Sequence, residues 1–91
     1  MRYALLFTEQ YDRRADRFLR QHPELKQQYI KILQLLEANP FHRSLRLRAL
    51  RGKLEGLHSV SINLSHRITL ELVLREQEII PVNVGSHDAV C

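Results

Sequence analysis

Hydrophobic and polar residues change their spacing along this chain, from a period near 3.6 in the first half to a period of two in the second. An apolar stretch at residues 2–7 predicts a first strand. Thr8 is a candidate helix N-cap, because its hydroxyl can accept a hydrogen bond from a backbone N–H in the first turn. The helix that follows carries an apolar stripe made of Tyr11, Ala15, Phe18 and Leu19. His22-Pro23 interrupts it, since proline disfavours helical geometry in the residue before it.

The second helix has the clearest pattern in the sequence. Pro23 suits its first turn, and Ala38-Asn39-Pro40 ends it. Its apolar positions form a stripe with a period near 3.6, made of Leu25, Tyr29, Ile32, Leu33 and Leu36. We therefore predict two antiparallel helices joined by a tight turn, with this stripe in the core.

The second half of the chain predicts three strands. Residues 59–64 alternate, with Ser59, Ser61 and Asn63 opposite an apolar face made of Val60, Ile62 and Leu64. Residues 67–74 alternate again, with Ile68, Leu70, Leu72 and Leu74 inward and Arg67, Thr69, Glu71 and Val73 outward. Ser65-His66 is short enough to make a hairpin of these two strands. Residues 75–78 then turn the chain into a last strand at residues 79–84.

The order β-α-α-β-β-β predicts one α+β domain over residues 1–91. We expect an antiparallel sheet of three or four strands, covered on one face by the two-helix hairpin. The longest apolar runs are too short to span a membrane, and we expect neither a signal peptide nor a membrane partner. The single cysteine, Cys91, cannot form an internal disulfide, which favours a reducing cytoplasmic location.

Positive charge is concentrated in one segment. The chain carries 14 Lys and Arg against 10 Asp and Glu, a net charge of +4. Residues 38–54 contain no acid, yet they hold His42 and five cations, Arg43, Arg46, Arg48, Arg51 and Lys53. Clustered charge of one sign destabilises a fold unless it faces a polyanion or an acidic partner. The alternative is a solvated loop with surplus arginine.

Three short motifs, in this order and spacing, resemble the RelE/ParE superfamily of toxins. Residues 50–56 (LRGKLEG) resemble the L-x-G-x-L-x-G entry to the second predicted strand of the chain. Residues 62–68 (INLSHRI) resemble the I-N-x-x-x-R-I/L hairpin of RelE and YoeB-like members. Residues 84–88 (VGSHD) resemble the terminal G-S/T-H of the YafQ-like branch. The resemblance covers essentially the whole chain.

This resemblance implies the toxin of a type II toxin–antitoxin system. Active members inhibit growth and translation by entering the ribosome and cutting mRNA as metal-independent endoribonucleases, without a cofactor. Arg67 matches the arginine that holds the scissile phosphate, and His87 matches the catalytic histidine of the YafQ pattern. The implied partners are a cognate antitoxin, with which the toxin can form a hetero-oligomer, and the ribosome with its mRNA. Arg46, Arg48, Arg51 and Lys53 are the candidate RNA-binding residues.

The chain also departs from the family pattern. Ser59 and Ser61 stand where RelE carries lysines, Arg48 stands at the position of a general base, and Cys91 stands where many relatives have a terminal aromatic residue. His66 is a candidate substitute for the missing base, or simply a residue of the hairpin turn.

Two other functions therefore stay open. One is a ParE-like, non-enzymatic inhibitor of DNA gyrase, and the other is a degenerate toxin that retains only antitoxin binding. Arg67 could equally be a structural arginine paired with Glu71, and His87 a surface histidine. His22, His42 and His58 lack the spacing of metal ligands, so we predict no metal site.

Overall fold

The computed structural model describes residues 2–86, and the predicted elements occur in the predicted order, with one additional short strand. Within this range lie two α-helices and five strands: β1 Ala4–Leu5, α1 Glu9–Gln21, α2 Lys26–Ala38, β2 Arg48–Ala49, β3 His58–Ser61, β4 His66–Val73 and β5 Glu78–Ser86. Single turns of 3₁₀ helix lie at Pro23–Leu25, Arg43–Leu45 and Gly52–Leu54.

The first helix begins as its sequence predicts, whereas the predicted first turn of the second helix, at Pro23–Leu25, is 3₁₀, and α2 begins at Lys26. The Thr8 hydroxyl accepts a hydrogen bond from the backbone N–H of Tyr11 at 3.1 Å, which confirms the predicted N-cap. The hydroxyls of Tyr11 and Tyr29 lie 2.7 Å apart and link α1 to α2. Burial raises the pKa of both phenols, so both stay protonated and one can donate to the other.

The sheet contains five strands in the described part of the chain, in the order β1-β5-β4-β3-β2. The pairs β2–β3, β3–β4 and β4–β5 are antiparallel, as predicted, whereas β1 pairs with β5 in parallel. The expectation of a wholly antiparallel sheet is thus wrong at one edge, and β2 is a strand that the sequence did not predict. Both β1 and β2 are only two residues long, so neither shows a periodic pattern.

The register of β3, β4 and β5 gives the sheet two faces of different composition. Val60, Ile68 and Val84 are cross-strand neighbours on the apolar face, which the helices cover. Ser61, Arg67 and Gly85 are neighbours in the adjacent row, so the side chains of Ser61 and Arg67 point to the other face. The core lies on the apolar face and contains Tyr3, Tyr11, Ala15, Phe18, Tyr29, Ile32, Leu36, Leu45, Val60, Ile62, Ile68, Leu70, Ile79 and Val84.

Two predicted core positions are exposed because their strands end earlier than the alternation suggests. Leu64 is 88% exposed, since β3 ends at Ser61 and the chain turns over the next four residues. The Asn63 side chain fixes this turn by accepting hydrogen bonds from the backbone N–H groups of Ser65 and His66, each at 2.8 Å. Leu74 is 57% exposed, because it lies one residue beyond β4.

The stripe of α2 gives the first testable prediction. Leu36 is fully buried and Leu33 is only partly buried, so Leu36→Ala should lower the free energy of unfolding by about 2–5 kcal/mol. Ile30→Ala, at an exposed position of the same helix, is the matched control and should change it by about 0.5 kcal/mol or less. Urea denaturation of the purified variants measures both values. Equal destabilisation by the two substitutions would contradict the packing described here.

Candidate active site

Arg67 lies near the start of β4, and its guanidinium is held by three groups from two other parts of the chain. The side chain is 8% exposed. Nε donates a hydrogen bond to the Ser59 hydroxyl at 2.9 Å, and Nη1 donates to the Ser61 hydroxyl at 2.9 Å. Nη2 donates to the backbone carbonyl of Arg46 at 3.0 Å. The plane and direction of the guanidinium are therefore fixed.

The register of the hairpin explains why both serines reach Arg67. Ser61 pairs directly with Arg67, and Ser59 pairs with Thr69 two residues further along the same face. Alternate residues of a strand share a face, so the two hydroxyls lie side by side next to the guanidinium. Lysines at these two positions would place like charges beside Arg67, whereas serines accept its hydrogen bonds.

The predicted alternative in which Arg67 pairs with Glu71 is wrong. Residues four apart on one strand are separated by about 13 Å along it, beyond the reach of an ion pair. Glu71 is exposed, whereas Arg67 is buried against β3.

Arg46 contributes through its backbone as well as its side chain. It follows the 3₁₀ turn at Arg43–Leu45 and has φ 51°, in the left-handed region that disfavours residues with a Cβ by about 1 kcal/mol or more. This conformation accompanies the contact between its carbonyl and the Arg67 guanidinium. A hydrogen bond from a charged donor is worth about 1.5–3 kcal/mol, which offsets the strain.

A pocket of about 600 Å³ opens beside this arginine. It is lined by Gln28, Lys31, Ile32, Leu35, Ser44, Arg46, Ser61, Ile62, Asn63, Leu64 and Arg67. The described lining contains three cations and no acid, so the pocket is electropositive. One side is apolar and belongs to α2 and the hairpin turn. The pocket is large enough for a nucleotide-sized ligand.

The other candidate RNA-binding residues do not all share the face of Arg67. Arg48 pairs with Ser59 in register and therefore shares the face of Arg67. Arg48 and Arg51 line a smaller pocket of about 310 Å³. Lys53 is exposed in the 3₁₀ turn at Gly52–Leu54, outside both pockets. The structure thus brings Arg46 and Arg48 to the face of Arg67 and leaves Lys53 apart.

His66 does not join Arg67. As the preceding residue of the same strand, it points to the helix side of the sheet, where its ring centroid lies 5.4 Å from that of Phe18 and 4.7 Å from that of His22. Its Nδ1 is 3.1 Å from the Oδ1 of Asn63. Burial lowers the pKa of His66, and the neighbouring His22 lowers it further. The other predicted catalytic histidine, His87, lies outside the described residues.

Sequence reasoning did not identify Ser59 and Ser61 as site residues. It recognised them only as departures from lysine. The signal was nevertheless present in the alternation, because Ser59, Ser61, Arg67 and Thr69 all fall on the polar face of a short hairpin. Pairing these positions across the turn would have placed the serines beside Arg67.

The described part of the chain was also searched for metal sites and for membrane-spanning helices. Residues 2–86 contain no cluster of three or more His, Cys, Asp or Glu side chains that could hold a metal ion. No helix in the same range is long and apolar enough to cross a membrane.

Comparison with known proteins identifies the architecture through structure alone. No family model matches the sequence, and no curated protein matches it. A chain of the toxin–antitoxin complex RelBE2 from Mycobacterium tuberculosis superposes with a TM-score of 0.75 at 17% identity, over 96% of this chain and 100% of that one. A chain of the E. coli DinJ-YafQ toxin–antitoxin complex gives 0.76 at 14% identity, over 99% and 98%. The YoeB/ParE toxin from Agrobacterium tumefaciens gives 0.73 at 17% identity, over 92% and 98%.

At these identities the likeness establishes the fold. The predicted α+β architecture, with a two-helix hairpin on one face of the sheet, is confirmed, and the observed, mostly antiparallel sheet resembles that of the RelE, YoeB and YafQ structures.

Proposed function

We propose that this protein is the toxin of a type II toxin–antitoxin system and that it cuts mRNA on the ribosome without a metal ion. The observation that carries the proposal is the fixed, positively charged Arg67 at the wall of an electropositive pocket, on a RelE/YoeB/YafQ-like fold. The shared fold supports the toxin class. The pocket supports an anionic ligand.

Arg67 suits the charge that develops during RNA cleavage. In a cyclising reaction the 2′-OH attacks the adjacent phosphorus, and negative charge grows on the oxygens of the phosphorane. A guanidinium already oriented by Ser59, Ser61 and the Arg46 carbonyl needs little reorganisation to stabilise that charge. Its planar donors also match the geometry of a phosphate.

The remaining roles are assigned by resemblance and position. His87 is proposed to protonate the departing 5′ oxygen, because it matches the histidine of the YafQ pattern and imidazole titrates near neutral pH. His66 has no part in this proposal, since it lies on the opposite face of the sheet. Arg46, Arg48, Arg51 and Lys53 are proposed to hold the RNA backbone through phosphate contacts, with Arg46 and Arg48 nearest to Arg67.

The proposed partners follow from the same class. Two of the similar structures are complexes of a toxin with its antitoxin, which supports a cognate antitoxin for this chain and a hetero-oligomer formed with it. The ribosome and mRNA are proposed as targets, and the cytoplasm as the location.

A second function is favoured by one observation. Arg67 gives three of its N–H groups to protein oxygens and is mostly buried, as a structural arginine would be. A chain that has lost nuclease activity, and acts as a ParE-like gyrase inhibitor or only binds antitoxin, would keep this arrangement to stabilise its hairpin.

The nuclease proposal predicts that Arg67→Gln lowers the rate of mRNA cleavage by about 100- to 1,000-fold, because the variant loses the charge that stabilises the phosphorane. The measurement is a reconstituted translation reaction in which the cleaved mRNA is mapped by primer extension. Arg75→Gln is the matched control, since Arg75 is an exposed arginine in the turn between β4 and β5 and should leave the rate unchanged. Thermal melting, monitored by circular dichroism, ensures that each variant is compared while folded.

Three outcomes separate the functions. Wild-type cleavage by folded Arg67→Gln would exclude Arg67 from the chemistry. Growth arrest by a wild type that cuts no mRNA, together with inhibition of gyrase supercoiling, would favour the ParE-like function. A wild type that is inert in both assays would indicate a degenerate toxin.

The partner proposal predicts that the chain co-elutes with an acidic or amphipathic antitoxin segment in gel filtration at low salt. Stopped-flow mixing should show that added salt slows association more than it speeds dissociation, because long-range attraction between charged surfaces is screened first. Arg48→Gln combined with Arg51→Gln should slow association at low salt and reduce its salt dependence. An association rate that salt does not change would argue against charge-guided binding.

A further inference from the structure

A second pocket lies on the helix side of the sheet, where the C-terminal half of α1 meets the ends of β4 and β5. Its volume is about 440 Å³. It is lined by Arg14, Arg17, Phe18, Gln21, His22, His66, Asn83, Val84, Gly85 and Ser86. None of these described lining residues is acidic, and most of them carry a hydrogen-bond donor in the side chain. The proposed nuclease function uses none of them.

Arg14 is fixed in place by an irregularity in β5. Thr69 pairs with Asn83, but Leu70 pairs with Pro81, so Val82 is an extra residue that forms a β-bulge. The Val82 carbonyl accepts a hydrogen bond from Nη1 of Arg14 at 2.9 Å. This bond anchors a half-buried guanidinium at the wall of the pocket and ties α1 to the sheet.

Arg17 and the histidine pair supply further donors. Arg17 lies one turn of α1 after Arg14 on the same side of the helix, and its side chain is exposed. The rings of His22 and His66 lie 4.7 Å apart in an edge-to-face arrangement. Among the described residues, Glu24 is an acid close to this pair, and its carboxylate lies 3.6 Å from Nδ1 of His22. The pocket lining itself contains two arginines, Arg14 and Arg17, and no acid among its described residues.

We propose that this pocket binds an oxyanion of the phosphate class between Arg14 and Arg17 of α1 and the His22–His66 pair. Phosphate oxygens accept hydrogen bonds from guanidinium, imidazolium and the Ser86 hydroxyl, and the planar guanidinium matches two of them at once. Burial and the neighbouring His22 lower the pKa of His66, and a bound anion would act in the opposite direction. The anion could be a backbone phosphate of a nucleic acid or free inorganic phosphate.

This site is separate from the one around Arg67. Consecutive residues of β4 point to opposite faces, so His66 and Arg67 belong to different pockets. Loss of Arg67 should therefore leave anion binding at the second pocket intact. Loss of Arg17 should leave the face of Arg67 unchanged.

The test is a titration of the full-length, isotope-labelled protein at about pH 6, where imidazoles can take up protons. One series adds inorganic phosphate, and another adds a short DNA oligonucleotide, which has the phosphodiester backbone but lacks the 2′-OH needed for cleavage. We expect saturable NMR shifts of the imidazole signals of His22 and His66. Arg17→Gln should weaken the affinity about tenfold, as expected for the loss of a charged hydrogen bond. Arg13→Gln is the matched control, because Arg13 is an exposed arginine of the same helix outside the pocket.

The variants decide the result. Weakening by Arg17→Gln, with wild-type affinity in Arg13→Gln, supports the site. Tighter binding of the oligonucleotide than of phosphate would assign it to a nucleic-acid backbone, and the reverse order would assign it to the free anion. The proposal is overturned if neither probe shifts the imidazole signals, or if Arg13→Gln weakens binding as much as Arg17→Gln, since general attraction to a basic chain would then explain the effect.

Discussion

The alternation of side chains across β3, β4 and β5 is the constraint on which this structure depends. One set of positions, including Val60, Ile68 and Val84, contacts the helices and forms the core. The intervening set places Ser61 and Arg67 on the other face. A shift of the register by one residue would exchange the two sets and bury the guanidinium in the core. Stability and candidate chemistry are thus specified by the same hairpin.

Burial of an arginine is costly unless its donors are satisfied. Among the described residues, two serine hydroxyls and a backbone carbonyl accept hydrogen bonds from Arg67 and hold its guanidinium in one orientation. Arg46 adopts a left-handed conformation where its carbonyl accepts the hydrogen bond from Arg67. This bond connects the acid-free segment, residues 38–54, to β4.

The sequence was sufficient for the elements whose patterns are local. The helices and the central hairpin are predicted by the Thr8 cap, the stripe of α2 and the alternation along β4. Each of these patterns involves only residues that are close in sequence. The edge strand β2, and the partner of the predicted edge strand β1, could not be predicted in this way. Each has two residues, and the pairing of β1 with β5 joins residues more than seventy positions apart, so no periodicity records it. The same limit applies to the bond between Arg67 and the Arg46 carbonyl, which needs a positive φ at a residue other than glycine.

The separation of the two faces explains how this fold persists at sequence identities of 12–20%. The helix face requires only apolar residues of suitable size, a condition that many sequences meet. The polar face contributes less to the core, so its residues can change without loss of the fold. Serines in place of lysines beside Arg67 are such a change, and they alter the charge and hydrogen bonding of the candidate site while the hairpin is preserved. The architecture alone therefore does not determine activity, and what the candidate site can do depends on the individual side chains on the face of Arg67.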